Sequence, residues 1–166
     1  MATALILAGG KSERMGEDKA LMAGGVTRLQ QLAKNAGFER IVTLCGAENR
    51  KAMFQGEVWP DPPLCASLMD VLAWVFSQVD GDVQLIPCDA FMLQAEGLEA
   101  LLESGGGVPL DPTGHRQPLL SSCPQTWSPK LNSKSVLDMF SSLPTLDLGP
   151  LGEQMQNFNR PDSNFG

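Results

Sequence analysis

Leu5-Ile6-Leu7-Ala8-Gly9-Gly10-Lys11-Ser12-Glu13-Arg14-Met15-Gly16-Glu17-Asp18-Lys19-Ala20-Leu21 changes chemical character within a few residues. Residues 4–8 are apolar, a run long enough for a strand buried on both faces and too short for a buried helix. Gly9 and Gly10 then open a loop whose amide N–H groups can approach a ligand closely, because no Cβ stands in the way. Amides clustered in this way bind anions. Lys11, Arg14 and Lys19 follow, with Gly16 giving a second close backbone approach. A strand, a glycine loop and converging cations suit a polyphosphate.

Working outward, strand-like and helix-like segments alternate. Leu29, Leu32, Ala33 and Ala36 recur at helical spacing, so a helix is predicted over residues 26–36, with Gly37 as its stop. Residues 40–45 read as a strand, 47–54 as a short helix, and 57–59 as a strand ended by Pro60-Asp61-Pro62-Pro63. Leu68, Val71, Leu72, Val75, Phe76 and Val79 form one apolar stripe, predicting a helix over 65–79. A second buried strand, 83–86, runs straight into Pro87-Cys88-Asp89. Beyond it the pattern predicts a helix around 98–102, strands at 108–110 and 119–123, a helix over 134–140, a loop over 141–152 and a last strand at 155–158. Strands separated by helices imply right-handed crossovers. The expected fold is therefore α/β, one doubly wound domain over residues 1–166, with a mostly parallel, Rossmann-like sheet in a three-layer αβα arrangement. In such a fold ligands lie at the carboxyl ends of the strands, so the glycine loop and Asp89 should face one crevice.

Composition narrows the function. The 166 residues carry a formal net charge of −7, with 43% hydrophobic and 19% charged residues, an ordinary globular composition. So acidic a chain offers no basic face for nucleic acid or an anionic membrane, and neither is an expected partner. The cations beside the glycines are a local exception. Cys45, Cys65, Cys88 and Cys123 make no C-x-x-C pair and only one His is present, so free thiols in a reducing cytoplasm are expected. No secretory signal is expected in the first ten residues, and no apolar run approaches bilayer length. Trp59, Trp74 and Trp127 are read as core or edge packing.

The phosphate motif itself can be sorted by spacing. G-x-x-x-x-G-K-[ST] fails because Gly16 precedes Glu17-Asp18 and Lys19 precedes Ala20; G-x-G-x-x-G is absent. The run resembles instead the signature of the molybdenum cofactor guanylyltransferase family, Leu-Ala-Gly-Gly-x-Ser-x-Arg-Met-Gly-x-Asp-Lys. All ten specified positions are present between Leu7 and Lys19.

That resemblance implies a magnesium-dependent nucleotidyltransferase that moves GMP from GTP onto the phosphate of molybdopterin and releases pyrophosphate. It implies nucleotide binding by Leu7, Ala8, Gly9, Gly10, Ser12, Gly16, Asp61 and Ser67. Arg14 would hold the leaving pyrophosphate, Lys19 the α-phosphate, and Asp89 with Asn159 the magnesium. Pro87-Cys88-Asp89 resembles the family's metal-binding Pro-Cys-Asp. Asn157-Phe158-Asn159-Arg160-Pro161-Asp162 resembles its Asn-x-Asn-Thr-Pro segment, with Arg160 in place of Thr. His115-Arg116-Gln117-Pro118-Leu119 is similar to its acceptor-side loop. Transient contact with molybdoenzyme maturation proteins is also implied.

One segment departs. Leu64-Cys65-Ala66-Ser67-Leu68 stands where guanylyl enzymes carry Gly-Pro-Leu-Ala-Gly, and it is closer to the cytidylyltransferase pattern. Gly9-Gly10, by contrast, follows the guanylyl branch. A Cβ at Gly9 is expected to narrow the space for a purine, so GTP is expected to be preferred to CTP and Gly9→Ala to shift that preference. The alternatives are a cytidylyltransferase, a nucleotidyltransferase with another phosphate acceptor, or a catalytically impaired nucleotide-binding assistant.

Overall fold

Ala4, Leu5 and Ile6, consecutive residues of the first strand, are each fully buried, which requires cover on both faces of a sheet. The computed structural model describes residues 2–9 and 25–156. Its elements in order are β1 (Ala2–Leu7), α1 (Gly25–Ala36), β2 (Arg40–Gly46), a 3-10 helix (Glu48–Met53), β3 (Glu57–Pro60), α2 (Leu68–Gln78), β4 (Asp82–Pro87) and α3 (Ala95–Glu103). There follow β5 (Val108–Pro109), a 3-10 turn (Pro118–Leu120), β6 (Ser122–Cys123), α4 (Val136–Met139), β7 (Thr145–Leu146) and a 3-10 helix (Gly149–Met155).

Five strands form a sheet in the order β3-β2-β1-β4-β6, and β5 and β7 make a separate two-stranded one. β1 pairs in parallel with both β2 and β4, while β6 runs antiparallel to β4. Alternate residues of β1 serve opposite faces. Ala4 and Ile6 join Val26, Leu29 and Ala33 of α1 with Leu98 and Leu101 of α3. Leu5 joins Val71, Leu72 and Val75 of α2 with Phe140. This is the expected mostly parallel, three-layer α/β architecture.

The C-terminal third corrects the sequence reading. Residues 119–123 are not one strand: Pro118–Leu120 is a 3-10 turn, and only Ser122–Cys123 pairs, because the chain there closes against Gly107 rather than running on. The expected loop 141–152 contains β7 and most of a 3-10 helix. Met155 ends that 3-10 helix instead of opening a strand, and residues 157–158 lie outside the described residues. The helix predicted from 65 starts at Leu68, after Ser67 caps it by accepting from the Asp70 amide. Side-chain packing follows the expectation for the tryptophans. Trp59 meets Trp74 edge-on at 5.5 Å and Trp127 stacks on Phe140 at 5.3 Å. None of the four cysteines is in a disulfide, and burial pushes the Cys123 thiol far above its ordinary value. Among the described residues no helix is long and apolar enough to cross a membrane.

At the outer edge, Arg40 at the start of β2 forks onto Glu57 of β3, at 3.0 and 2.7 Å. The Arg40 hydrogen bond holds the Glu57 carboxyl below its ordinary value. A carboxyl depressed in the folded state stabilises above its unfolded pKa, about 4.3, and loses that contribution as pH falls through the folded value. Both side chains are over a third exposed, so Glu57→Gln should cost no more than about 1 kcal/mol at neutral pH. Urea midpoints at pH 7 and pH 3 check the sign: the gap between the two proteins should close on acidification.

Candidate functional site

In the strand order, β1 has β2 on one side and β4 on the other, and β2 and β4 are reached by chain running in opposite directions. This is the switch point at which an open α/β sheet leaves a crevice beyond its carboxyl ends. Leu7 stands level with Pro87, and the Cys88 amide donates to Leu7 O at 3.0 Å. The two segments that the sequence singled out, Leu7-Ala8-Gly9 and Pro87-Cys88-Asp89, therefore meet side by side. Asp89 is one of only five buried polar or charged residues among those described, 5% exposed.

Gly9 has a role of its own. A Cβ built on it would lie 2.8 Å from Gly46 Cα and 2.9 Å from Gly46 N, and one on Gly46 would lie 2.6 Å from Gly9 O. Real Cβ contacts with backbone do not come so close, so the ends of β1 and β2 touch through paired glycines. The expectation that a Cβ at Gly9 narrows the base site is thereby corrected: it points at β2. Gly46 also has φ +82°, open to glycine and costly to other residues. Its carbonyl accepts from the Asp61 amide at 2.7 Å, which places Asp61 on the same edge, at the end of β3. Desolvation there raises the Asp61 carboxyl above its ordinary value although the residue keeps exposed surface.

Ser67, the other expected nucleotide contact in this region, caps α2 by accepting from the Asp70 amide, which leaves its hydroxyl proton to donate, and Asp70 accepts from the Ala66 amide at 2.9 Å. Leu64 beside it is 96% exposed. Arg14, Lys19, Gly10, Ser12, Gly16 and Asn159 lie outside the described residues.

Three participants had no motif to reveal them. Gly46 is one. Arg50 is another: its Nε donates to Cys45 O at 2.9 Å and its Nη2 to Ala8 O at 2.8 Å, so a guanidinium sits on the strand ends next to Gly9. The third is Arg28, which reaches from α1 to the backbone just after Asp89. A cation following a strand end is the only local signal for Arg50; Arg28 reads as an ordinary helix residue.

The His115 loop is tightly built. Burial pushes the Asp111 carboxyl up, but hydrogen bonds from Thr113, His115 and Gln117 outweigh this and hold it below its ordinary value. Thr113 Oγ1 donates to Asp111 Oδ1 at 2.7 Å and lies 2.6 Å from His115 Nδ1. A hydroxyl has one proton, so Nδ1 is the donor in that second bond. β5 runs parallel to β4, because each opposes the chain at Ser122. The loop that leaves β5 therefore lies toward the carboxyl edge of the sheet.

The family model for the MobA-like NTP transferase domain matches residues 4–136. The chain belongs to that family. It is accordingly a nucleotidyltransferase domain whose substrate includes a nucleotide. No curated protein matches the sequence. Among solved structures, a protein of Aquifex aeolicus VF5 is similar at 18% identity and TM-score 0.73, over 95% of this chain and 92% of that one. Molybdopterin-guanine dinucleotide biosynthesis protein A from Archaeoglobus fulgidus is similar at 18% identity and TM-score 0.67, over 98% and 94%. A 4-diphosphocytidyl-2C-methyl-D-erythritol synthase is similar at 13% identity and TM-score 0.61, over 99% and 94%. At these identities the likeness is one of fold. The MobA-like assignment runs from the third residue of β1 to the first residue of α4, and so covers both sides of the crevice.

Proposed function

We propose that this MobA-like domain transfers GMP from GTP to the phosphate of molybdopterin, with release of pyrophosphate. The observation that carries the reading is the meeting of Leu7-Ala8-Gly9 with the buried Asp89 at the β1/β4 switch point. The ten-position motif and the family membership support it. In the reaction an acceptor phosphate oxygen attacks the α-phosphorus in line as the bond to pyrophosphate breaks, so positioning and charge neutralisation dominate. Amides of the Gly9-Gly10 segment and Arg14 hold the leaving pyrophosphate. Lys19 offsets the charge that grows on the α-phosphate. Leu7, Ala8, Gly16, Ser12, Asp61 and Ser67 complete the nucleotide contacts.

The residues suit magnesium, which takes one or two carboxylates and completes its shell with water and substrate phosphates. Asp89 supplies a hard oxygen at the crevice, and Asn159 is the second ligand in this proposal. No group of three or more His, Cys, Asp or Glu gathers among the described residues, and an ion held largely by substrate oxygens needs none. When bound, the ion supplies Lewis-acid neutralisation of the phosphates.

A second reading, cytidylyl transfer, is favoured by Ala66-Ser67-Leu68 and by the absence of a glycine at that place. The steric argument from Gly9 no longer opposes it. A mass-detected assay offering ATP, GTP, CTP and UTP with magnesium and molybdopterin decides between them. GTP should give the guanine dinucleotide. Faster product from CTP would replace the guanylyl assignment, and no product from any of the four would favour a nucleotide-binding assistant.

A further inference from the structure

The stretch from the Asp89 turn into the first turn of α3 is gripped from outside at two places. From α1, Arg28 Nη2 donates to Ala90 O at 2.7 Å and Nη1 to Leu93 O at 2.8 Å, across more than sixty residues of sequence. A rigid guanidinium that satisfies two carbonyls fixes angle as well as distance, which a lysine ammonium does not. On the other side, the first turn of α3 has no side-chain cap from Gln94. Gln154 fills that place: its Oε1 accepts from Gln94 N at 2.8 Å and Gly97 N at 3.0 Å. Gln154 is in turn anchored by its neighbour Met155, fully buried in the cluster that includes Ala8, Ala90, Leu93 and Leu98. Within the turn, Ala90 N donates to Pro87 O at 3.1 Å, Phe91 N to Asp89 O at 2.8 Å and Leu93 N to Ala90 O at 3.2 Å, and the Cys88 amide ties its start to Leu7 O.

We propose that Arg28 and Gln154 are positioning residues for nucleotidyl transfer, a two-point clamp that sets the Asp89 turn against the glycine segment. This rests on the transfer reading above. The placement explains why two side chains distant in sequence converge on the backbone of one short stretch, residues 90–97, with four hydrogen bonds. It also ties the Asp89 turn to the chain just before residues 157–159.

The test uses Arg28→Lys, Gln154→Leu and Gln154→Glu in the full chain. Lys keeps the charge but loses the fork; Leu removes the acceptor; Glu keeps an acceptor for both amides, where negative charge suits a helix N-terminus. Amide exchange at Phe91 and Leu93 should quicken by about tenfold in the Lys and Leu variants, and kcat should fall by about tenfold with the nucleotide KM changed less than twofold, since misplacement acts on the transition state. Gln154→Glu should match the unmodified protein in both readouts. Unchanged exchange, a Glu variant as impaired as Leu, or a raised KM with kcat intact would each overturn the clamp. If Gln154→Leu does not fold, Arg28→Lys and Gln154→Glu still decide. An unmodified protein inactive with every nucleotide would instead sink the transfer reading, and the exchange rates would continue to judge the clamp.

Discussion

Asp89→Ala is expected to lower turnover in nucleotidyl transfer by about a hundredfold or more while the chain remains folded. Asp89 is buried just past the end of β4, where that strand lies beside β1, so the substitution removes a carboxyl from the crevice rather than from a solvated loop. Lys19→Ala should have an effect of similar size, because in the proposed reaction both groups act on charge that develops during transfer. The two should differ in their response to the metal. Raising magnesium should partly restore Lys19→Ala, since the ion supplies positive charge, and should leave Asp89→Ala unchanged. Steady-state rates at several magnesium concentrations, with circular dichroism to confirm folding, check both statements. Near-normal turnover in either variant would remove that residue from the reaction.

Gly46→Ala should destabilise the protein by about 2–4 kcal/mol. Two costs add: an alanine at φ +82°, and a Cβ placed 2.6 Å from Gly9 O, a backbone atom that cannot rotate away. Gly37→Ala isolates the first cost, because Gly37 also has positive φ, +97°, but nothing lies within 4 Å of the added Cβ. It should cost only about 1–2 kcal/mol. In a domain of this size each kcal/mol lowers Tm by about 2–4 °C, so calorimetry resolves the two variants. Equal losses would show that the β1 and β2 ends can part without penalty. Gly9→Ala, whose Cβ meets Gly46 at 2.8 Å but whose backbone has no positive φ, should lose less stability than Gly46→Ala and give no clean shift between GTP and CTP.

What the sequence determined by itself was whatever is written in consecutive residues. The apolar run of β1 followed by glycines and cations, the stripe of α2, and β4 running into Asp89 each follow from local periodicity and side-chain chemistry, and together they specify the parallel sheet and bring Asp89 to its carboxyl edge. The C-terminal third was poorly legible because Pro and Gly interrupt every period there. Its short β7 and its 3-10 helix over Gly149–Met155 exist through contacts with β5 and α3, not through their own pattern. The tertiary structure alone decided that a Cβ on Gly9 would meet Gly46, that the Ser67 hydroxyl caps α2, and that Arg50, Arg28 and Gln154 bond backbone far from them in sequence. The physical reason is common to all of these. Hydrogen bonds and van der Waals exclusion act at a few ångströms in space, and between residues up to 65 positions apart no periodicity in the chain records them.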